Sequence, residues 1–171
     1  MAELPHRLAE LSGGLRTGLQ LLLLVAFGLK AAVFPLFFWL PDSYPTARSP
    51  ISAVFAGLLT KVGIYALIRV VVMLLPVERQ ELSLLIALIA AATILVGALG
   101  ALAENDIRRL FGYVVISGIG NMLAGVALGG VSGLGGISGA VFYALHSMVL
   151  MTALYLAAGE IARRGGGFSL S

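Results

Sequence analysis

Residues 19–41 read LQLLLLVAFGLKAAVFPLFFWLP, and residues 52–75 read SAVFAGLLTKVGIYALIRVVVMLL. Each stretch is long enough to cross the ~30 Å hydrocarbon core of a bilayer as a helix. Each carries one lysine near its middle, Lys30 in the first and Lys61 in the second. A lysine at that depth costs about 2.5–3.5 kcal/mol on insertion scales, so it usually faces a protein partner or a water-filled cavity. The two lysines therefore indicate movement of protons or cations.

The composition of the 171-residue chain is that of a membrane protein, because 60% of its residues are hydrophobic and 11% are charged. Apolar segments predict membrane spans at residues 19–40, 51–75, 82–103, 107–129 and 134–161. Only helices satisfy the backbone over such lengths in lipid. The sequence predicts an all-α, polytopic integral membrane helical bundle of about five transmembrane helices. One transmembrane domain is expected at residues 19–161, between an N-terminal extramembrane segment at 1–18 and a C-terminal tail at 162–171.

Several functional classes are excluded by what the sequence lacks. The chain has no cysteine, which excludes disulfides, thiol catalysis and thiolate metal sites. It shows no flavin, haem or iron–sulfur motif and no basic cluster, so no cofactor, no metal site and no nucleic-acid partner are predicted. Residues 1–18 lack the pattern of a cleaved signal peptide, so the first apolar run is expected to stay in the protein.

Arginines indicate the orientation in the membrane. Five of them lie in the segments that an odd number of spans places on one side: Arg48, Arg108, Arg109, Arg163 and Arg164. The opposite side holds Arg7, Arg16 and Arg79, with Arg69 inside its span. The positive-inside rule then predicts a multi-pass protein of the plasma membrane with its N-terminus outside and its C-terminus in the cytoplasm.

The first span contains Pro35, five residues after Lys30. A proline has no N–H and clashes with the carbonyl four residues back, here that of Ala31, so it opens or kinks the helix there. In transporters, broken helices near the midplane are where ions are coordinated. Pro35 is therefore predicted to mark a helix break beside Lys30.

Polar residues recur on three other spans. In the second span Ala53, Gly57, Lys61, Tyr65 and Arg69 repeat every four residues and predict one stripe that faces protein or water. Tyr113, Ser117 and Asn121 on the fourth span, with His146 and Ser147 on the fifth, are candidates to line the same pathway. The third span has only Thr93, Gly97 and Ala101 on one face, which is typical of close helix packing.

These residues suit proton transfer. Burial weakens the hold of a lysine on its proton, and a nearby acid strengthens it, so a moving acid would switch the lysine between loading and release. Histidine suits relay work because its unperturbed pKa is near 6.5. Lys30, Lys61 and His146 are the candidates for the proton pathway, with water between them. No Asp or Glu lies in mid-span, so the acid must come from elsewhere.

The sequence resembles a known family in three stretches: LLLVAFGLKAAVFPLFFWLPDSYPTARSPISAVFAGLLTKVGIYALIR, ENDIRRLFGYVVISGIGNMLAG and FYALHSMVLMTALYLAAGEI. They are similar to the antiporter-like membrane subunits of NADH:quinone oxidoreductase and of Mrp-type Na⁺/H⁺ antiporters. The motif FWLPDSYP, with Tyr44, is closer to the D subunit of the Mrp antiporters, since LPDAH is more usual in the respiratory paralogues.

The resemblance implies that Lys30 is the lysine of the broken helix, that Lys61 lies on the proton route and that His146 belongs to a central polar axis. It also implies that the chain is a central fragment of a longer subunit within a hetero-oligomeric complex. Three residues depart from the family pattern, namely Phe37, Arg48 and Met151. Met151 stands where some paralogues carry a lysine, which bears on the relay beyond His146.

Three functions remain open on the sequence. The first is a proton-translocating subunit of a multisubunit antiporter that exchanges H⁺ for a monovalent cation such as Na⁺. The second is a membrane subunit of a proton-pumping NADH:quinone oxidoreductase, which would make the chain part of an enzyme without redox centres of its own. The third is a structural or assembly membrane protein without transport. In that case Lys61 would only bind a neighbouring helix, and His146 would be a satisfied polar group.

Overall fold

The computed structural model describes residues 12–70, 78–128, 134–165 and 167–169. The elements are α1 (Gly13–Ala31), α2 (Trp39–Thr46), α3 (Ser49–Val54), a π-helical segment (Phe55–Leu59), α4 (Thr60–Ile68), α5 (Glu78–Ala103), α6 (Ile107–Leu128) and α7 (Leu134–Arg163). No named strand occurs in these ranges. Residues 1–11, 71–77, 129–133, 166 and 170–171 lie outside the description, and they include most of the predicted N-terminal segment, the end of the second predicted span and part of the predicted C-terminal tail.

Five helical units of the described chain are long and apolar enough to cross a membrane: Gly13–Ala31, Ser49–Ile68, Leu82–Ala103, Ile107–Leu128 and Gly135–Arg163. The first begins at Gly13, before the predicted start at residue 19, and it ends at Ala31 instead of running to residue 40. The prediction of an all-α polytopic membrane bundle with a broken first helix is confirmed.

Glycines bring α5 and α6 into close contact. A Cβ atom added at Gly120 would lie 2.8 Å from the Ile94 backbone nitrogen and 2.9 Å from the Ala90 carbonyl oxygen. On the other side of the contact, Gly97 meets the backbone of Ser117. Small residues allow such an approach between membrane helices, where packing and not the hydrophobic effect drives association. The third span therefore packs closely against the fourth through these small residues, as its sequence predicted.

Gly120→Ala is expected to destabilise the bundle, because the added methyl group meets backbone atoms that cannot rotate away. Overpacking of this kind typically costs about 1–3 kcal/mol. Gly139→Ala in α7 is the matched control, since a Cβ there meets nothing within 4 Å and alanine favours the helix by roughly 0.5–1 kcal/mol. Thermal unfolding of the detergent-solubilised protein compares the two variants. Equal stability of both would contradict the packing argument.

One end of the bundle is joined by polar contacts. Arg109 forms ion pairs with Asp42 at 2.9 Å and with Glu104 at 3.5 Å. Arg108 donates to the Ala47 carbonyl, and its guanidinium lies 4.7 Å from the centre of the Phe168 ring. The loop before α3, the turn before α6 and the C-terminal residues therefore lie at the same end, as the alternation of the predicted spans requires.

The outer faces of α5 and α7 are apolar. Leu88, Leu99, Phe142 and Val149 are each at least 60% exposed. In a membrane protein such faces contact lipid or further membrane helices, because apolar side chains are unfavourable in water. The polar groups that bear on function must therefore be sought where the helices meet or where the helices are interrupted.

Candidate functional site

The first span is interrupted between Ala32 and Phe38. Ala32 adopts the left-handed conformation with a φ of 61° and ends α1, and its N–H bonds to the carbonyl of Leu29 at 3.2 Å. Pro35 lies in the middle of the interruption, and its peptide bond with Phe34 is cis. The sequence predicted a break at Ala31 from the position of Pro35, and the helix ends at that residue.

Two groups hold the break in place. The indole Nε1 of Trp39 donates to the carbonyl of Leu29 at 3.1 Å, across the gap from the start of α2. The hydroxyl of Thr93 on α5 accepts a hydrogen bond from the Phe34 N–H at 3.1 Å and donates to the Ile89 carbonyl at 2.6 Å. Thr93 is fully buried. The third span is therefore more than packing, because it binds the one part of the first span that has left the helix.

Thr93→Val is expected to destabilise the break, because it keeps the shape of the side chain but leaves the Phe34 N–H without its acceptor. An unsatisfied buried polar group costs about 1–3 kcal/mol. Thr93→Ser retains the hydroxyl and is expected to stay near the wild type. Limited proteolysis or hydrogen exchange at residues 32–38 reports the local effect. Unchanged protection of that segment in Thr93→Val would contradict the role of the hydroxyl.

Lys30 lies in the last turn of α1. Its side chain is exposed and has no hydrogen bond or ion pair within the described residues. A cation near a helix C-terminus is favoured by the helix dipole, but an exposed ammonium at mid-membrane depth must be covered by something other than lipid. The structure thus shows Lys30 beside the break and directed away from the described bundle.

The helices that carry the two lysines pack closely. A Cβ atom at Gly63 of α4 would lie 2.8 Å from the Ala31 backbone nitrogen of α1. Lys30 and Lys61 flank this contact in sequence, but their side chains differ, because Lys30 is exposed and Lys61 is only 2% exposed. No described hydrogen bond joins them. The fold therefore places both lysines near one helix crossing while giving each a different environment.

Lys61 lies two residues after the end of the π-helical segment Phe55–Leu59. Its ammonium donates to the Ala56 carbonyl at 2.6 Å. A π turn inserts a residue into an α-helix and disturbs the regular pairing of amides with carbonyls. Within the described residues no carboxylate pairs with Lys61. A backbone carbonyl dipole is thus its observed partner.

Tyr44 connects the broken helix to the π segment. It is fully buried in α2, and its hydroxyl donates to the Phe55 carbonyl at 3.0 Å. Tyr44 also packs edge-on against Tyr155 of α7, whose hydroxyl donates to the Arg108 carbonyl at 3.2 Å. The residue that distinguished the LPDSYP motif in the sequence therefore lies between the two interrupted helices.

The predicted stripe on the second span is only partly buried. Ala53, Gly57 and Lys61 are buried, whereas Tyr65 is 60% exposed and Arg69 is exposed beside it, with its guanidinium 5.9 Å from the Tyr65 ring centre. An α-helix has 3.6 residues per turn, so a four-residue repeat drifts around the axis with each step. Tyr65 and Arg69 therefore lie outside the buried face of the described bundle, and the prediction that the whole stripe faces protein or water stays a prediction.

The remaining candidates are distributed over several environments. Ser147 is buried, Tyr113 and Ser117 are half-buried, and Asn121 and His146 are exposed. His146 lies beside Tyr143, with 6.5 Å between the ring centres, while Tyr113 packs over Gly100 of α5. The described helices do not by themselves bring Lys30, Lys61 and His146 into hydrogen-bond contact. A pathway through all three stays a prediction.

Sequence reasoning missed three features of the site. The π segment has no sequence signature apart from the small pair Ala56 and Gly57. Thr93 was assigned to helix packing, and Tyr44 was used only to compare motifs. Thr93 had one usable signal, since it is a hydroxyl in an otherwise apolar stretch, and buried hydroxyls generally find a partner. Tyr44 lies among polar residues and had no such signal.

Comparisons with known proteins agree with this architecture. Residues 6–169 match the family described as NADH:quinone oxidoreductase/Mrp antiporter, transmembrane. The chain is 39% identical to the D subunit of the Na⁺/H⁺ antiporter of Bacillus subtilis (strain 168) over 172 residues, which is 99% of this chain and 34% of the relative. It is 37% identical to the same subunit of Alkalihalophilus pseudofirmus over 97% of this chain and 33% of the relative. The chain spans about a third of the length of these relatives.

Two solved structures share the fold. In the Mrp complex from Dietzia sp. DQ12-45-1b, a chain with 36% identity superposes with a TM-score of 0.81 over 85% of this chain and 27% of its own length. In the membrane-bound sulfane sulfur reductase, an archaeal respiratory membrane complex, the values are 26% and 0.86 over 98% of this chain and 34% of the other. With the family match covering nearly the whole sequence, the chain belongs to the NADH:quinone oxidoreductase/Mrp antiporter transmembrane family.

Proposed function

We propose that this chain is the central part of the D subunit of a multisubunit Mrp-type antiporter in the plasma membrane, exchanging H⁺ for Na⁺. The observation that carries the proposal is Lys61, a buried ammonium whose described partner is the Ala56 carbonyl beside a π segment. An ammonium bound to a neutral carbonyl dipole can move away from it, or can lose its proton, without breaking an ion pair. The similarity to antiporter subunits named for Na⁺ and H⁺ supports the choice of ions.

Lys30, Lys61 and His146 form the proposed proton pathway, and water fills the gaps between them. Tyr65, Tyr113, Ser117, Asn121 and Ser147 are proposed to line it. The exposure of Lys30 and His146 supports an assembly in which further helices, of this subunit or of its partners, cover these groups. An acid on such a helix would strengthen the hold of Lys30 on its proton when close and weaken it when distant.

We place the segment 19–161 in the membrane and the tail 162–171 in the cytoplasm, with the N-terminus of the chain outside. The polar end formed by Arg108, Arg109 and their partners supports this orientation, because it carries the larger number of arginines. Cysteine labelling at Ser43, which is exposed at this end, tests it. A membrane-impermeant reagent added to intact cells should fail to label Ser43→Cys, and labelling under these conditions would reverse the orientation.

The second candidate function is a membrane subunit of a respiratory complex, and the likeness to the sulfane sulfur reductase complex favours it. Deletion of the gene in its native host separates the two functions. An antiporter subunit predicts sensitivity to Na⁺ at alkaline pH, loss of Na⁺-dependent ΔpH dissipation in everted vesicles, and normal NADH-linked respiration. A respiratory defect without salt sensitivity would favour the second function. If the deletion strain shows neither salt sensitivity nor a respiratory defect, a structural role is favoured.

A further inference from the structure

The threonines in the spans of the described chain follow one pattern, with a single exception. Thr17, Thr93 and Thr152 each donate from the side-chain hydroxyl to the carbonyl four residues back, at 3.2, 2.6 and 2.7 Å respectively. This back-bond is the common way in which a helix satisfies a threonine hydroxyl. Thr60 is fully buried, but its hydroxyl has no hydrogen-bond partner among the residues that the structure describes.

The carbonyl four residues before Thr60 already has a side-chain donor. That carbonyl belongs to Ala56, and it accepts from the Lys61 ammonium at 2.6 Å. Thr60 and Lys61 are adjacent, and both can reach Ala56, one from four residues away by the usual threonine geometry and the other by its long side chain. The bond that Thr60 lacks and the bond that Lys61 makes therefore involve the same acceptor, the Ala56 carbonyl.

The Tyr44 hydroxyl is near enough to the Thr60 hydroxyl to interact with it, but the two do not form a hydrogen bond of normal geometry. The Tyr44 proton is donated to the Phe55 carbonyl at 3.0 Å, so Tyr44 cannot supply a donor to Ala56 without giving up Phe55. Thr60 is thus the closest side chain in sequence that can donate a hydrogen bond to the Ala56 carbonyl once Lys61 has moved away. A rotation about χ1 moves a threonine hydroxyl between such positions at small cost.

We propose that Thr60 is a positioning residue for Lys61, and that the Ala56 carbonyl is an acceptor shared between them. In one state the ammonium of Lys61 binds Ala56 and the Thr60 hydroxyl is unbonded. In the other state Lys61 has passed its proton to the pathway and moved away, and Thr60 rotates to donate to Ala56 while keeping its own proton. Because Thr60 replaces Lys61 as the donor, the buried Ala56 carbonyl is not left without a side-chain hydrogen bond. This inference rests on the proposed function of Lys61.

The charged environment of this switch is defined by the elements packed around it. Titratable and charged side chains on these elements are Arg16 and Lys30 on α1, Asp42 and Tyr44 on α2, Arg108, Arg109 and Tyr113 on α6, Tyr143, His146, Tyr155, Glu160 and Arg163 on α7, and Tyr65 and Arg69 on α4 itself. None of these forms a hydrogen bond or ion pair with the Lys61 ammonium. The side chains that compete to donate to the Ala56 carbonyl are therefore those of Lys61 and Thr60.

The first test is the pH profile of Na⁺-dependent H⁺ exchange by the full complex in everted vesicles. Thr60→Val has no donor for Ala56, so the state with Lys61 released becomes less stable. The acid limb of the profile is expected to move to higher pH by about one unit. Thr60→Ser is expected to follow the wild type. Thr60→Ala provides a second variant if valine impairs assembly. A wild-type profile in both Thr60→Val and Thr60→Ala would overturn the proposal.

The second test does not depend on exchange. High-resolution electron cryo-microscopy of the assembled wild-type complex at acid and alkaline pH reports which side chain contacts the Ala56 carbonyl. Lys61 is expected there at acid pH and the Thr60 hydroxyl at alkaline pH. A Thr60 that never approaches Ala56 would overturn the switch. By contrast, full exchange in a Lys61→Met complex would overturn the proposed function and leave the structural competition to be decided by this experiment.

Discussion

Lys61→Met is expected to abolish Na⁺-dependent H⁺ exchange in everted vesicles while the complex still assembles. Methionine fills a similar volume but cannot carry a proton. Removal of a nearly fully buried charge offsets the loss of one hydrogen bond to Ala56, so the fold is expected to survive. Exchange should fall by at least tenfold, which corresponds to about 1.4 kcal/mol in the barrier, and should match the background of the deletion strain.

Lys61→Arg separates transport from structure. Arginine keeps the positive charge and can donate to the Ala56 carbonyl, but it does not give up its proton in a protein. Loss of exchange in Lys61→Arg, with normal copurification of the complex, is expected for a proton carrier. If Lys61 served only to bind a carbonyl across a π turn, Lys61→Arg would keep full exchange. That result would contradict the proposed pathway.

Lys30→Met is expected to have an effect of similar size for a different reason. Lys30 is exposed at the end of α1 and has no partner in the described residues, so its loss breaks no contact that holds these helices together. The described bundle should keep its stability, and exchange should fall to background, because the group beside the break can no longer load a proton. Thermal unfolding and vesicle exchange measure the two effects separately.

The matched control is Arg69→Met. Arg69 is also an exposed cation on a membrane helix, and its described contact is with the Tyr65 ring at 5.9 Å. Exchange is expected to stay within about fivefold of the wild type, since exposed contacts of this kind contribute about 0.5–1 kcal/mol. A loss of exchange in Arg69→Met as large as in Lys30→Met would show that any cation removed from these spans disables the complex, and the specific role of Lys30 would be contradicted.

The sequence by itself determined the class of protein and its most unusual local feature. Hydrophobic length requires helices in lipid, because backbone groups have no other partner there. Pro35 fixed the position of the break, since a proline excludes the hydrogen bond and the space that a continuous helix needs. The position of Lys30 and Lys61 within apolar stretches was enough to single out both lysines, because charge is costly at that depth.

Only the tertiary structure decided how these residues are held. The exposure of Lys30 and the burial of Lys61 depend on which side of a helix crossing each side chain leaves, and Gly63 sets that crossing through its contact with Ala31. The π segment arises from packing and has no fixed sequence pattern. The hydrogen bonds between Thr93 and Phe34 and between Tyr44 and Phe55 join residues on separate segments of the fold. Periodicity along one helix cannot reveal such contacts, because they depend on how separate helices meet.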